Sequence, residues 1–185
     1  QYMNILAVSS REFEGQPISS VFKSFIDPKL TFLNPTDKKF FECDVVFFCT
    51  PHGSSMSMAK KFLDSEIKII DLSADFRIKD KDTWEQWYGM KHEQPELIEQ
   101  SVYGLVDIYA DHIKKADLVA VPGCYPTASL LGISPLLNKE INISNIVIDA
   151  KSGMTGAGRS TVEGGMKQEM HENLRAYGVL GHRHL

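Results

Sequence analysis

Short, nearly continuous apolar runs recur along most of the chain, and helical patterns separate them. Five such runs occupy residues 3–9, 44–50, 67–72, 117–121 and 143–150. Runs of this kind are typical of strands that are covered on both faces. Residues 54–65 and 107–116 carry apolar side chains at helical spacing. This alternation predicts an α/β fold with a parallel sheet, whose ligands bind beyond the carboxyl ends of the strands.

Composition argues against several classes of partner. The 185 residues carry a formal net charge of -4, which disfavours nucleic acid or an anionic membrane as the main partner. No apolar run approaches the roughly 18 residues of a membrane span, and the N-terminal residues lack a signal-peptide pattern. The three cysteines have spacings that fit neither a disulfide framework nor a zinc site. We therefore expect a cytoplasmic protein that binds no metal, nucleic acid or membrane.

The stretch VPGCYPTA places Cys124 between a predicted strand and a predicted helix. Pro126 has a fixed φ and no amide hydrogen, so it suits the first helical position, and Pro135 is expected to kink or end the helix. Cys124 then lies just before the helix, where unpaired amides and the helix dipole favour an anion. This environment suits an activated nucleophile, but a small buried side chain is an equally good interpretation. For Cys43 and Cys49, burial is the favoured interpretation.

Two further groups of residues are candidates for chemistry. His182 and His184 stand together in the sequence GHRH and could serve a nucleophile, although an HxH pair is more often part of a surface loop. Ser73, Asp75 and Arg77 follow a predicted strand end, where ligand contacts gather in parallel α/β sheets. A plain helix cap made by Ser73 or Asp75 is an equally good interpretation.

Together these segments resemble one known family, the N-acetyl-γ-glutamyl-phosphate reductases, which use NADPH in the third step of arginine biosynthesis. VPGCYPTA looks like the active-site signature of that family. The other similar blocks, in the family's order, are DLSADFRIKD, WYGMKHEQPEL, VYGL, SGMTGAGRS and AYGVLGHRH. The resemblance implies a Rossmann-like NADP-binding domain over residues 1–121, followed by an α+β catalytic and substrate domain over residues 122–185.

The resemblance also implies a mechanism. The Cys124 thiolate attacks the acyl phosphate and expels phosphate, and NADPH reduces the resulting thioester to N-acetylglutamate 5-semialdehyde. His182 is implied as the acid/base of these steps. Cys124 and His182 are thus the catalytic residues, and Tyr125 and His184 are assigned to substrate binding.

Phosphate groups of substrate and coenzyme need cationic, amide-rich partners. The segment SGMTGAGR supplies glycine backbone, hydroxyls and a guanidinium, so we assign Ser152 and Arg159, with Arg77, to the substrate. A flexible surface turn is the commoner meaning of such a glycine-rich run. At the first strand end, serine and arginine suit the extra phosphate of NADP, where an acidic residue would bind the ribose of NAD. The residues assigned to the coenzyme are Ser9, Ser10, Arg11, Pro51, His52, Gly53, Ser73 and Gly156.

The sequence departs from the family at both ends. Members usually have a glycine-rich turn that wraps the pyrophosphate before the position of Ser9, and they continue beyond the HRH sequence. We therefore expect a chain that lacks the first βα unit and the end of the catalytic domain, with weakened NADPH binding. The family forms homo-oligomers, so a dimer or tetramer is expected.

Three alternatives remain open. The first is an enzyme like aspartate-semialdehyde dehydrogenase, which shares the cysteine–histidine chemistry and an acyl phosphate substrate. The second is a thiol hydrolase that needs no nicotinamide. The third is an inactive, truncated fragment that only associates with itself or with an intact partner.

Overall fold

The computed structural model describes residues 3–24, 29–137, 141–157, 173–174, 176–179 and 181–184. The predicted substrate residue Arg159 lies outside these ranges. The chain divides into two compact units, Gln1–Val121 and Pro122–Leu185. Over the described ranges, no helix has the length and apolar character that a membrane crossing requires.

Strands and helices alternate along the first unit, as the apolar runs predict. In chain order they are β1 (Val8–Ser9), α1 (Ile18–Val21), β2 (Phe32–Leu33), a 3-10 helix (Lys38–Glu42), β3 (Val45–Phe48), α2 (Met56–Leu63), β4 (Lys68–Asp71), α3 (Lys81–Tyr88), α4 (Pro95–Gln100), β5 (Val102–Tyr103), α5 (Val106–Ile113) and β6 (Leu118–Ala120). β1 pairs with β2, and a second sheet has the order β3-β4-β6-β5. All these pairs are parallel, which confirms the predicted α/β class.

The core of this unit lies between the four-stranded sheet and the helices that cover it. Ile69 of β4 is fully buried and pairs with Leu118 of β6, so the centre of the sheet has no access to water. The buried cluster consists of Phe40, Phe48, Met56, Ala59, Phe62, Ile67, Ile69, Phe76, Trp84, Leu97, Ile98, Leu118 and Ala120. The edge strand β3 differs from its prediction, because Phe47 is 47% exposed and one face of that strand is open.

Helix α3 begins and ends at residues suited to those positions. The Asp80 carboxylate accepts a hydrogen bond from Thr83 N at 2.7 Å, which satisfies one of the amides that the first turn leaves unpaired. The helix ends at Gly89, whose φ of 67° is left-handed and favours glycine. Between these ends, the wholly buried Trp84 enters the core while Trp87 remains 42% exposed.

The second unit contains helix α6 (Cys124–Leu137) and a 3-10 helix (Met154–Ala157) among its described residues. The predicted start of α6 is wrong by two residues, because Cys124 and not Pro126 is its first residue. The first-turn amides have no acceptor within the helix, so a proline at the third position loses no hydrogen bond.

Pro135 does not end the helix either. Its missing donor is replaced by the Ser134 hydroxyl, which donates to Leu131 O at 3.4 Å.

The predicted strand at residues 143–150 is wrong for this structure. Residues 141–153 form neither helix nor strand, and Val147 is 92% exposed. An apolar run becomes a strand only where a neighbour satisfies its backbone amides and carbonyls. No strand in the described part of the chain pairs with this segment.

The two tryptophans of α3 provide a test of this packing. We expect Trp84→Ala to lower the free energy of unfolding by ~3–5 kcal/mol, because it leaves a cavity in the core. It also removes the indole donor of a buried hydrogen bond to Ala74 O. Trp87→Ala is the matched control on the same helix, and we expect a loss of about 1 kcal/mol or less. Urea unfolding measures both, and equal losses would contradict the assigned core.

Candidate active site

The loop that follows β4 is tethered at three consecutive backbone carbonyls. The donors are Trp84 Nε1 to Ala74 O at 2.9 Å, His92 Nε2 to Asp75 O at 2.8 Å and Ser101 Oγ to Phe76 O at 3.0 Å. Ser101 shares its one hydroxyl hydrogen with Ile98 O at 2.8 Å. His92 Nδ1 accepts the Gln94 amide, so the ring hydrogen of His92 lies on Nε2 and points to the loop. Three separate elements therefore hold this loop beyond the carboxyl end of the central strand.

The side chain of Asp75 connects this loop to the one that follows β3. Asp75 is fully buried, and its carboxylate accepts hydrogen bonds from Gly53 N at 2.7 Å, Ser55 Oγ at 2.8 Å and Met56 N at 3.0 Å. Asp75 thus caps α2, a helix earlier in the chain, and not the helix that follows it. Gly53 has a φ of 86°, and an added Cβ would lie 3.0 Å from Met90 Sδ, so this position requires glycine.

Ser73 lies between the buried Asp71 carboxyl group and the buried Ser55 hydroxyl. Its hydroxyl is 2.9 Å from Asp71 Oδ2 and 2.9 Å from Ser55 Oγ, and the residue is only 5% exposed. Burial raises the pKa of Asp71 to about 6, and the nearby Asp75 carboxylate adds to the rise. The hydroxyl of Ser73 is thus already engaged inside the protein, and its predicted coenzyme contact remains a prediction.

The other predicted coenzyme residues of this unit are accessible. Pro51 and His52 are exposed in the loop after β3, and the His52 ring lies 5.1 Å from that of Tyr88. Ser9 and Arg11 are exposed at the end of β1. Ser10 Oγ accepts the Phe13 amide at 3.2 Å, which shapes the turn and leaves the hydroxyl hydrogen able to donate. These side chains can reach a ligand at the carboxyl ends of β1 and β3.

Arg77 has a structural role that its sequence position did not reveal. Its Nε donates to Val121 O at 2.6 Å, and its Nη2 donates to Leu72 O at 2.7 Å. The guanidinium therefore joins the residues that immediately follow β4 and β6. The predicted contact of Arg77 with substrate remains a prediction, and it would have to use the remaining guanidinium donors.

The three cysteines are all free thiols. Burial and the neighbouring Asp44 and Glu42 carboxylates raise the pKa of Cys43. Partial burial and the Asp71 carboxylate raise the pKa of Cys49, which makes both thiols poor nucleophiles near neutral pH. The expected burial of Cys49 is wrong, because this residue is exposed at the end of the edge strand β3. Cys124 is also exposed, on the first turn of α6.

In the second unit, the turn before Cys124 meets the GHRH segment. An added Cβ on Gly123 would lie only 2.6 Å from His184 Nε2, so glycine is required for this close approach. The Tyr125 ring lies 5.6 Å from the His182 ring and 6.0 Å from the His184 ring. Two segments that are distant in the sequence, PGC and GHRH, thus come together within Pro122–Leu185.

Tyr177 is a member of this cluster that sequence reasoning missed. Its hydroxyl donates to Tyr125 Oη at 2.6 Å, and this hydrogen bond is the main reason why the pKa of Tyr177 rises to about 12. The charge of Cys124 contributes to the same rise. Because Tyr177 is the donor, the hydroxyl hydrogen of Tyr125 remains available for a ligand. The only sequence signal was that Tyr177 lies in the block AYGVLGHRH.

The imidazole of His182 is oriented by the backbone. Its Nδ1 accepts the amide of His184 at 3.2 Å, so the ring hydrogen lies on Nε2. In this arrangement His182 can donate a hydrogen bond through Nε2. Acceptance of a second proton at Nδ1 would require this amide contact to break.

The glycine-rich segment is described in part. Ser152 and Gly156 are both exposed, and an added Cβ on Gly156 would collide with Ser152 Oγ. The Ser152 hydroxyl donates to Gly153 O at 3.1 Å. These two residues are therefore adjacent, as a phosphate site formed by this segment requires, whereas Arg159 lies outside the described ranges.

Two cavities of about 330 and 450 Å³ lie in the first unit, and none of these residues lines them. Both are lined by Leu63, Gln100 and Asp117, near the amino ends of β4 and β6. Ligands of parallel α/β sheets bind at the opposite, carboxyl end. The first unit therefore has its candidate site at the carboxyl-end loops, and the second unit has its own in the cluster around Cys124.

Comparison with known proteins identifies both parts of the chain. Residues 1–116 match the family described as semialdehyde dehydrogenase, NAD binding domain, and residues 124–185 match semialdehyde dehydrogenase, dimerisation domain. These matches agree with an α/β architecture and a nicotinamide-coenzyme domain of the Rossmann type.

Similar relatives bear a single name, N-acetyl-gamma-glutamyl-phosphate reductase. The protein of Ruthia magnifica subsp. Calyptogena magnifica is 50% identical over 182 residues, which are 97% of this chain and 54% of that protein. That of Nitrosospira multiformis is 47% identical over 185 residues, which are 99% of this chain and 54% of the relative. The chain spans about half the length of the curated relatives it matches, and these relatives confirm the resemblance seen in the sequence. With both domain matches in the order of the family, the chain belongs to the semialdehyde dehydrogenase family.

Proposed function

We propose that this protein reduces N-acetyl-γ-glutamyl phosphate to N-acetylglutamate 5-semialdehyde with NADPH, as a step of arginine biosynthesis. The observation that carries the proposal is the approach of GHRH to the turn of Cys124, seen in the fit of His184 against Gly123. The names of the relatives support the same reaction. In each unit by itself, the side chains present the chemical groups that this reaction needs.

Cys124 is the proposed nucleophile. It is exposed, and it lies on the first turn of α6, at the end of the helix where backbone amides are unpaired. The sulfur attacks the acyl carbon, the bond from carbon to the phosphate oxygen breaks, and phosphate leaves with the electron pair. An acyl thioester on Cys124 results, and the first-turn amides are suitable donors for the oxyanion that forms during the attack.

His182 and Tyr125 are the proposed proton-handling and positioning groups. His182 presents Nε2–H, because its Nδ1 is occupied by the amide of His184. In this neutral tautomer Nε2–H donates a hydrogen bond. The acid/base role that we propose requires Nδ1 to release the amide and take up a proton, after which the imidazolium can protonate the Cys124 sulfur when the aldehyde leaves. Tyr125 is held by Tyr177 with its own hydrogen available, so it can donate to a substrate oxygen.

The end of β1 and the loop after β3 fit NADPH, which would supply the hydride that converts the acyl thioester into the aldehyde. Ser9 and Arg11 are exposed at that strand end, where a guanidinium and hydroxyls suit the extra phosphate of NADP. Pro51, His52 and Gly53 would contact the nicotinamide ribose. Ser152, Gly156 and Arg159 would bind phosphate of the substrate or the coenzyme.

We further propose a homo-oligomer that acts in the cytoplasm. The match of residues 124–185 to a dimerisation domain supports association with a second copy. The free state of all three cysteines suits a reducing compartment.

An NADPH-linked assay of the full chain, run with the acyl phosphate and in the reverse direction with arsenate, tests the proposed reaction. We expect turnover with the N-acetylglutamyl substrate, and a loss of ~10³-fold or more in Cys124→Ser, because the thioester cannot form. Cys49→Ser is the matched control and should retain activity. Preference for aspartyl phosphate, acyl hydrolysis without NADPH oxidation, or full activity in Cys124→Ser would each contradict the proposal.

Gly123 provides a test of the His184 contact. We expect Gly123→Ala to push the His184 ring away and to lower kcat/KM by ~10–100-fold, because small misplacements near reacting groups are costly. Gly132→Ala, on the helix that follows Gly123, is the control, since nothing lies within 4 Å of its added Cβ. Unchanged kinetics in Gly123→Ala, with the fold verified by circular dichroism, would separate this contact from catalysis.

Arg11 provides a test of the coenzyme preference. We expect Arg11→Ala to weaken NADPH binding by about 10-fold or more and to leave NADH binding nearly unchanged, because one charge-assisted hydrogen bond is lost. Lys23→Ala removes the same charge from another exposed position and serves as the control. Fluorescence titration with both coenzymes gives the ratio, and equal losses for NADPH and NADH would refute the role of Arg11.

A further inference from the structure

Four buried side chains form a continuous hydrogen-bonded chain beneath the carboxyl ends of β3 and β4. Asp71 Oδ2 is 2.9 Å from Ser73 Oγ, which is 2.9 Å from Ser55 Oγ, which in turn is 2.8 Å from Asp75 Oδ2. All four residues are at most 5% exposed. We call this the Asp71–Asp75 chain. Its three oxygen–oxygen contacts each require one hydrogen.

A count of hydrogens shows that the Asp71–Asp75 chain lacks one hydrogen when both carboxylates are ionised. Ser55 and Ser73 supply one hydroxyl hydrogen each, so two hydrogens are available for three oxygen–oxygen contacts. Ser73 Oγ also accepts the Asp75 amide at 3.2 Å, so that amide cannot serve the contact between the serines. A buried pair of oxygens at hydrogen-bond distance without a hydrogen is unfavourable. One additional proton completes all three contacts.

The two carboxyl groups are not equivalent as holders of that proton. Asp75 accepts the amides of Gly53 and Met56 on its two oxygens and stands at the start of α2, where a negative charge is stabilised. Asp71 accepts a single amide, that of Ser73 on Oδ1 at 2.9 Å, which leaves Oδ2 able to carry a hydrogen. The proton therefore belongs on Asp71 and the charge on Asp75.

We propose that Asp71 and Asp75 share one buried proton through Ser73 and Ser55, and that this chain positions the loop bearing Pro51, His52 and Gly53. Hydrogen bonds then run in one direction, from Asp71 O–H to Ser73, from Ser73 to Ser55, and from Ser55 to the Asp75 carboxylate. The carboxylate in turn holds Gly53 and the start of α2. Asp71 and Asp75 are positioning residues, since they act on the loop and not on the reacting atoms.

Burial, which raises the pKa of Asp71 from an ordinary 3.8 to about 6, agrees with this assignment. Native Asp71 then holds its proton over a range in which the unfolded chain has lost it. The stabilisation is complete below about pH 4 and is lost as the pH rises through about 6. Among the described residues, the other titratable or charged groups near the chain are Cys49 after β3, Arg77 beyond β4 and His92 after α3.

Two isosteric substitutions in the 185-residue polypeptide separate the roles of the Asp71 and Asp75 carboxyl groups. Asp71→Asn supplies a permanent donor to Ser73, so we expect the melting temperature to match or exceed that of the wild type at pH 7.5. The fall in stability between about pH 4 and 6 should also be smaller. Asp75→Asn turns an NH2 group toward backbone amides, so we expect it to melt lower by about 5 °C or more at every pH. Equal losses in the two variants, or an unchanged pH profile in Asp71→Asn, would overturn the shared proton.

Ser55→Ala gives an independent test if Asp75→Asn does not fold. This change removes two of the three contacts and leaves Ser73 with enough hydrogens, so the proton on Asp71 is no longer required. We expect the pH-dependent part of the stability to shrink as it does in Asp71→Asn. A full wild-type pH dependence in Ser55→Ala would refute the proposal.

The effect on the loop rests on the proposed function and is measured by NADPH titration. We expect Asp71→Asn to bind NADPH like the wild type and Ser55→Ala to bind it several-fold more weakly. If the wild type binds no NADPH, the proposed coenzyme is wrong, while the melting data still decide on the shared proton. Identical NADPH affinity in all variants, with the expected melting data, would overturn the positioning of the loop.

Discussion

The buried carboxylate of Asp75 is the interaction on which the first unit depends. A charge without access to water is tolerated only where hydrogen-bond donors surround it, and here Gly53, Ser55 and Met56 provide them. Because these donors belong to the loop after β3 and to the start of α2, the carboxylate joins two βα units. The carbonyl tethers from Trp84, His92 and Ser101 hold Asp75 itself in place. The carboxyl-end edge of the sheet, where parallel α/β sheets bind their ligands, is thus held by buried hydrogen bonds.

In the second unit, the close approach of GHRH to the turn of Cys124 depends on the absence of a side chain at Gly123. Tyr125 and Tyr177 join the two segments by a hydrogen bond, and both rings pack against His182. The backbone amide of His184 then selects which nitrogen of His182 carries the hydrogen. A small number of short-range contacts therefore sets the chemical state of the groups proposed for proton transfer.

The fold class followed from the sequence because burial of a strand on both faces leaves a nearly continuous apolar run. β3, β4 and β6 were found on this basis. β2 and β5 have two residues each and give too short a pattern to be detected. The run at residues 143–150 has the composition of a strand, but pairing also requires a neighbour, which composition does not report. The expectation that α6 ends at Pro135 is wrong for a similar reason. The Ser134 hydroxyl replaces the hydrogen-bond donor that proline lacks, and its position depends on a side-chain rotamer that the sequence does not report.

The sequence by itself determined the α/β class, the resemblance to a reductase family and the candidate thiol, because these depend on local pattern and on residue type. Only the tertiary structure decided what Arg77, Ser73 and Asp75 do after β4. All three appeared as residues at a ligand-binding strand end. Arg77 instead joins two strand ends, and Ser73 connects the buried Asp71 carboxyl group to the Ser55 hydroxyl. The partners of a polar side chain are set by elements distant in the sequence. For this reason no local pattern could separate a ligand contact from an internal hydrogen bond.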